Sequence, residues 1–200
     1  MNETLVVLAI AAQAINLLDP TLREWDKVGD GMWSVMRDGT LVGQRSEKSL
    51  HQAWLYTKRE FGEYDLHLEW WCRQGGNSGV SIRDTSRGRF AVGEAFNRDK
   101  TPSHIGYEIQ ISEGHADKYP TGSIYLFDMA KKGRQIPNDW NALDIEVRDS
   151  LIRVLLNGQL VSQHAGDPAR SKAGPIGLQL HDPKSLIMFR KVRVREIKKK

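Results

Sequence analysis

The feature that most constrains this chain is a two-residue hydrophobic alternation that recurs from residue 64 to the end. In Tyr64 to Trp71 (YDLHLEWW) it puts Tyr64, Leu66, Leu68 and Trp70 on one side and Asp65, His67, Glu69 and Trp71 on the other, as in a half-buried strand. The same period appears in Gly79 to Arg83, Ile105 to Ser112, Leu143 to Arg148, Leu151 to Leu156, Ile176 to His181 and Ile187 to Ile197. Asn157-Gly158 lies between LIRVLL and QLVSQH, and both residues accept the positive φ of a type I′ turn, so this is the clearest hairpin signal. Many short strands with little helical periodicity predict an all-β sandwich or barrel. No repeat of fixed period and no low-complexity linker divides the chain, which predicts one domain from about 15 to 197 followed by a basic tail, 198–200.

Charge and composition narrow the function classes. The 29 basic residues are interspersed with 25 acidic ones, and the densest basic stretch, Lys191 to Lys200, alternates with Val192, Val194 and Ile197. That is the wet side of a final strand and argues against a nucleic-acid partner. No uncharged apolar run reaches bilayer length, so stable membrane insertion is not expected. A lone cysteine, Cys72, rules out a disulfide framework and sits in an apolar strand as a core residue. Thr4 to Ala12 is apolar and leads into an Ala-x-Ala pattern at Ala12 to Ala14, so residues 1–14 read as a signal peptide of an exported protein, periplasmic or extracellular. Glu3 stands where such a leader carries a basic residue.

Alternation also sorts the polar side chains. With Val80 and Ile82 inward, Asn77, Gly79, Ser81 and Arg83 face outward; with Tyr107, Ile109 and Ile111 inward, so do Glu108, Gln110 and Ser112; Gln179, His181 and Tyr125 follow by the same rule. If these strands share a sheet, one face collects a carboxylate, an imidazole, a guanidinium, amides and a phenol, groups that recognise hydroxyls by directed hydrogen bonds. Two long irregular stretches, Asp84 to His104 and Glu113 to Thr121, are expected as functional rims. Trp54, Trp71 and Trp140 are candidates for sugar stacking, although packing is the commoner use of tryptophan in β domains. Gly75, Gly76 and Gly79 lack the Gly-Lys-Ser/Thr of a phosphate loop, and no Gly-x-Ser-x-Gly surrounds Ser78.

The ordered fragments INLLDPTLREW, GMWSVMRDGTLVG, FGEYDLHLEWW, GGNSGVSIRD, GYEIQIS, TGSIY, DWN, GPIGLQLHD and MFRKVRVREI resemble the 3-keto-disaccharide hydrolase domain family. That resemblance implies a concanavalin-like jelly-roll β-sandwich of two antiparallel sheets, related in fold to family 16 glycoside hydrolases and legume-type lectins. It implies cleavage of a glycoside already oxidised at C3 by a separate sugar dehydrogenase: a base removes the C2 proton, the enolate expels the aglycone, and water adds back or the unsaturated sugar is released. It also agrees with export. Glu108 and His181 are then the base and acid in either order, Arg83 the enolate-stabilising cation, and Asn77, Gln110, Tyr125 and Gln179 the hydroxyl binders. His181, Glu108 and Gln110 could together hold a divalent metal, although no ligand spacing demands one.

Two other readings stay open. Glu108-Ile-Gln-Ile-Ser-Glu113 resembles the paired-glutamate strand of family 16 glycosidases, with Gln110 at the middle carboxylate, and would make the protein a direct retaining glycosidase. The same sandwich also serves as a non-catalytic carbohydrate-binding module.

Overall fold

The computed structural model describes residues 13–45, 51–113, 118–183 and 185–198. The expected leader therefore lies almost wholly outside the described residues, as do His115 and part of the second irregular stretch. The strands, in chain order, are β1 (Ile15–Asn16), β2 (Trp25–Val28), β3 (Met32–Val35), β4 (Leu41–Gln44), β5 (Ala53–Thr57), β6 (Tyr64–Cys72) and β7 (Asn77–Ile82). After a loop come β8 (Tyr107–Ser112), β9 (Asn141–Val147), β10 (Ile152–Leu156), β11 (Gln159–His164), β12 (Ile176–Leu180) and β13 (Leu186–Glu196). They form two antiparallel sheets. One runs β11-β10-β9-β6-β13-β4-β3, with β1 also on β13; the other runs β2-β5-β12-β7-β8. The all-β sandwich read from alternation is the observed architecture.

The core is where alternation placed it. Tyr64, Leu66, Leu68 and Trp70 of β6 meet Val80, Ile82, Ile109, Ile111, Ile176, Leu178 and Leu180 of the facing sheet, all essentially without solvent exposure. Cys72 is buried with them, and burial pushes its thiol up to about 12, so it packs as an inert apolar group. The Asn157-Gly158 turn joins β10 and β11 with φ of 50° and 76°, as a type I′ hairpin requires. In β13 the inward parity changes between Ile187/Phe189 and Val192/Val194. A register shift between Arg190 and Arg193, with Lys191 at φ 52°, absorbs the extra residue and keeps both pairs in the core.

The outward faces differ. β6 and β9 alternate strictly between buried and half-exposed residues, whereas every residue of β5, β8 and β12 is buried. The five-stranded sheet is covered on its second side by residues 84–106, which wind through three single-turn 3-10 helices and one short α-helix, α1 (Pro102–Ile105). Trp54 and Tyr56 of β5 pack there with Ala91, Val28 and Val92 in a separate apolar cluster.

Candidate functional site

Two rows of side chains cross the covered face. Register places Tyr56 opposite Gly177, Gly177 opposite Ser81 and Ser81 opposite Glu108; in the next row Trp54 is opposite Gln179, and Gly79 is opposite Gln110. The glycines leave room that their neighbours fill. A Cβ on Gly177 would lie 2.4 Å from the Tyr56 ring, and one on Gly79 would lie 2.8 Å from Glu108 Oε1. The Glu108 side chain therefore folds back over Gly79, toward Gln179 and His181.

Glu108 is 5% exposed, and among the described residues no cation forms an ion pair with it. Burial pushes its carboxyl up to about 7; the charge of Asp84 acts in the same direction, while His181 and the Gln179 amide pull back. Gln179 is fully buried, and although it lies beside the carboxyl, neither polar atom of its amide closes a hydrogen bond of good geometry. A buried amide of this kind forfeits about 1–3 kcal/mol until a partner arrives. Gln110 Nε2 donates to Asn77 Oδ1 at 2.8 Å, which leaves the Gln110 carbonyl and the Asn77 amide hydrogens for a ligand. Asn77 is fixed by Ser185, which accepts from its N–H at 3.1 Å and donates to its carbonyl at 2.6 Å.

Tyr125 donates its backbone N–H to the Glu108 carbonyl at 2.8 Å, and its ring packs 4.7 Å from that of Tyr119. Burial and the charges of Glu108 and Tyr119 raise its phenol above the ordinary value while Arg98 draws it down, so it stands as a neutral hydroxyl donor. His181 follows β12, with Nδ1 3.5 Å from Asp182 and its backbone carbonyl held by Arg45 at 2.7 Å.

The cover is tied down by Asp84. This fully buried carboxylate accepts from Tyr56 Oη at 2.8 Å, Gly88 N at 2.7 Å, and Ser86 N and Oγ at 2.9 and 2.6 Å. Arg87 then donates to the carbonyls of Thr57 and Lys58 at 2.6 and 3.1 Å. Held in this way, the segment presents Phe96, Arg98, Thr101, Ser103 and His104 to a cavity of about 270 Å³ whose other walls are Gln52, Asn77, Glu108, Gln110, Tyr125 and His181. Phe96 stacks on His51 with ring centroids 4.2 Å apart, and His104 Nδ1 is 2.8 Å from Thr101 Oγ1.

Five of the seven residues singled out from sequence thus line one cavity, and Gln179 lies beneath it. Arg83 does not join them. β7 ends at Ile82, and Arg83 takes φ 59°, which breaks the alternation and sends its side chain away from the cavity. There it donates to the carbonyls of Arg148, Asp149 and Gly62 at 2.8, 3.2 and 3.4 Å and is 1% exposed. Its role is to join loops at the end of the sandwich. The cation at the cavity is Arg98, which sequence reasoning missed together with Phe96 and His104, because a loop has no period to say which side chains point inward.

Glu113 is also elsewhere: it lines a second cavity, where Gln135 Nε2 and, at 3.3 Å, Asn138 N donate to it. Two carboxylates in different cavities cannot flank one glycosidic bond, which removes the geometric basis of the retaining reading. The tryptophans pack: Trp54 is fully buried, Trp140 lies under Arg190 at 4.0 Å, and Trp71 Nε1 donates to Asn138 O at 3.3 Å. Among the described residues no three His, Cys, Asp or Glu side chains converge as a metal set. Glu108, His181 and the free Gln110 carbonyl would hold a divalent ion only with water or substrate oxygens completing its shell.

The sequence profile of a family described as a 3-keto-alpha-glucoside-1,2-lyase-like domain matches residues 13–195. No curated protein matches the chain. Among solved structures, one titled "Putative glycosyl hydrolase" from Parabacteroides distasonis superposes with TM-score 0.72 at 24% identity, covering 92% of this chain and all of that one. A Bacillus licheniformis beta-glucanase superposes with TM-score 0.61 at 12% identity, over 94% of this chain and 99% of that one. The Bacillus subtilis carbohydrate binding module CBM66 does so with TM-score 0.53 at 16% identity, over 86% and 96%. At these identities the likeness shows a shared jelly-roll fold.

Proposed function

Since the chain belongs to the 3-keto-alpha-glucoside-1,2-lyase-like domain family, we propose that it cleaves 3-keto-glycosides by elimination in the cavity around Glu108. The observation that carries this reading is the buried Glu108 carboxyl, pushed up to about 7 in a cavity that also holds His181, Arg98 and Tyr125. A base acting near neutral pH is most effective with a pKa in that range.

Glu108 takes the C2 proton, which the C3 ketone has made acidic, and the C2–H electron pair becomes the enolate. Arg98, with the neutral Tyr125 hydroxyl, stabilises the charge on the ketone oxygen. The enolate then expels the aglycone from C1; the C1–O pair leaves with the aglycone oxygen, which takes a proton from His181. Water added across the resulting C1=C2 bond gives the free 3-keto sugar and returns the protons. Asn77 and Gln110 hold hydroxyls with the amide atoms that their mutual bond leaves free, while Gln179, beneath the cavity, faces the Glu108 carboxyl rather than the sugar. Such a substrate must be supplied by a reaction that oxidises a sugar at C3, and we place both steps in an exported setting.

Aglycone release from paired aryl glucosides, with and without the C3 ketone, tests this directly. Turnover of the keto substrate alone, lost in His181→Ala, is expected. Cleavage of the unoxidised glucoside would mean a direct glycosidase, and sugar binding without turnover of either would mean a binding module. Repeating the assay with chelator reports whether a metal assists.

A further inference from the structure

The second cavity, about 530 Å³, opens where β8 ends. Ser112 lines it, and Gln110, two residues earlier on the same strand and about 7 Å away by strand rise, lines the reaction cavity. The walls of the two cavities therefore adjoin along β8, where Gln110 and Ser112 are separated by about the length of a sugar unit.

Lys131, Lys132 and Arg134 edge this cavity, and among the described residues of its wall the one carboxylate is Glu113. Among the described residues the side chains of Lys131 and Arg134 are exposed and have no ion-pair partner. The loop that carries them is nonetheless tied at several points. Lys131 N donates to Val161 O at 3.1 Å, Asn157 Nδ2 to Arg134 O at 2.8 Å, Asn141 Nδ2 to Ile136 O at 2.9 Å, and Ile136 N to Asn141 Oδ1 at 2.7 Å. The Glu113 carboxylate, 5% exposed, holds Gln135 and Asn138 from beneath. The backbone that carries these cations is thus fixed beside a polar cavity, so an anion bound there has to order only their side chains and forfeits less entropy.

We propose that this cavity is a second saccharide subsite that takes an anionic sugar unit, one carrying a carboxylate, on the aglycone side of the bond cleaved in the Glu108 cavity. The saccharide part rests on the function proposed above; the anion preference rests on the loop.

Titration of the full chain with methyl glucuronoside and methyl glucoside, followed by calorimetry or NMR, tests it without turnover. The glucuronoside is expected to bind at least 10-fold more tightly, to weaken with added salt, and to lose that advantage in Lys131→Ala/Arg134→Ala while keeping it in Glu108→Gln. Equal binding of the two sugars, or an advantage undiminished in the double variant, would overturn the proposal. Inorganic sulfate binding as tightly as the glucuronoside would overturn its saccharide part. Failure of keto-glucoside turnover alongside a retained glucuronoside preference would sink the proposed reaction and leave this subsite standing.

Discussion

Asp65 and Glu69 on one sheet and Glu108 on the other all occupy outward positions of alternating strands, yet their carboxyls are driven in opposite directions. On the larger sheet, burial pushes Asp65 up, but hydrogen bonds from Arg195 and Arg148 at 2.5 and 2.6 Å outweigh it and leave the group below its ordinary value. Glu69 behaves likewise, with Lys191 and Arg190 at 2.6 and 2.5 Å. Glu108 has the cover above it and no cation at hydrogen-bond distance among the described residues, so burial prevails. Alternation selects the face; the cover and the partners decide whether a carboxylate there stabilises the sheet or is held ready to accept a proton.

The largest test of that contrast is Glu108→Gln, which should keep the fold and lower kcat/KM on a keto-glycoside by about 10²–10⁴-fold, the usual contribution of a general base. Activity that persists at the wild-type level would show that the raised carboxyl is not the base. In the wild type, kcat/KM should rise with pH through about 7 as Glu108 ionises.

Stability should run the other way. A folded pKa raised from 4.5 to about 7 gives stability that is fully present below 4.5 and is lost as pH rises toward 7. By about 1.4 kcal/mol per pKa unit, denaturant melts should then find Glu108→Gln more stable than wild type by about 3 kcal/mol at pH 8, with little difference at pH 4. Asp65 and Glu69 have the opposite sign: their contribution is present above their unfolded values and is lost as pH falls through the depressed folded ones.

Asp84→Ala attacks the cover. It leaves the Tyr56 hydroxyl and the Gly88 N–H without their acceptor, at a cost of about 2 kcal/mol. The variant both loosens the cover and removes the Asp84 charge, each of which raises Glu108, so the midpoint of the pH–activity profile should move to lower pH; an unmoved midpoint would place the cause of the shift within the sheet itself. The smallest effect is expected from Asp65→Asn, which should lower stability by no more than about 1 kcal/mol, as exposed ion pairs do, and leave kcat/KM unchanged.

Most of the sandwich was legible because a strand with one wet face carries its register in its own composition. β6, β9, β10 and β13 are such strands, and they fall within about two residues of the alternating runs. β5 was not legible as a strand: AWLYT is buried on both sides and has no polar alternation to reveal it. The same physics governs the site. Asn77, Glu108, Gln110, Tyr125 and Gln179 sit on or beside paired strands, so parity was enough to group them. Arg83 escapes that grouping because one left-handed residue past the end of β7 reverses parity. Arg98 and His104 arrive on a segment whose path is set by the tertiary bonds of Asp84, which no local pattern encodes.

The pairing of β1 with β13 brings Ile15 opposite Val194 and Asn16 opposite Arg193, so the first and last strands lie side by side. The order in which the polypeptide is read is therefore separable from the architecture it builds. A short linker could join Glu196 to Ile15 and a new opening be cut after the exposed Gly158, leaving every strand from Asn77 to Val147 uninterrupted in a rearranged gene.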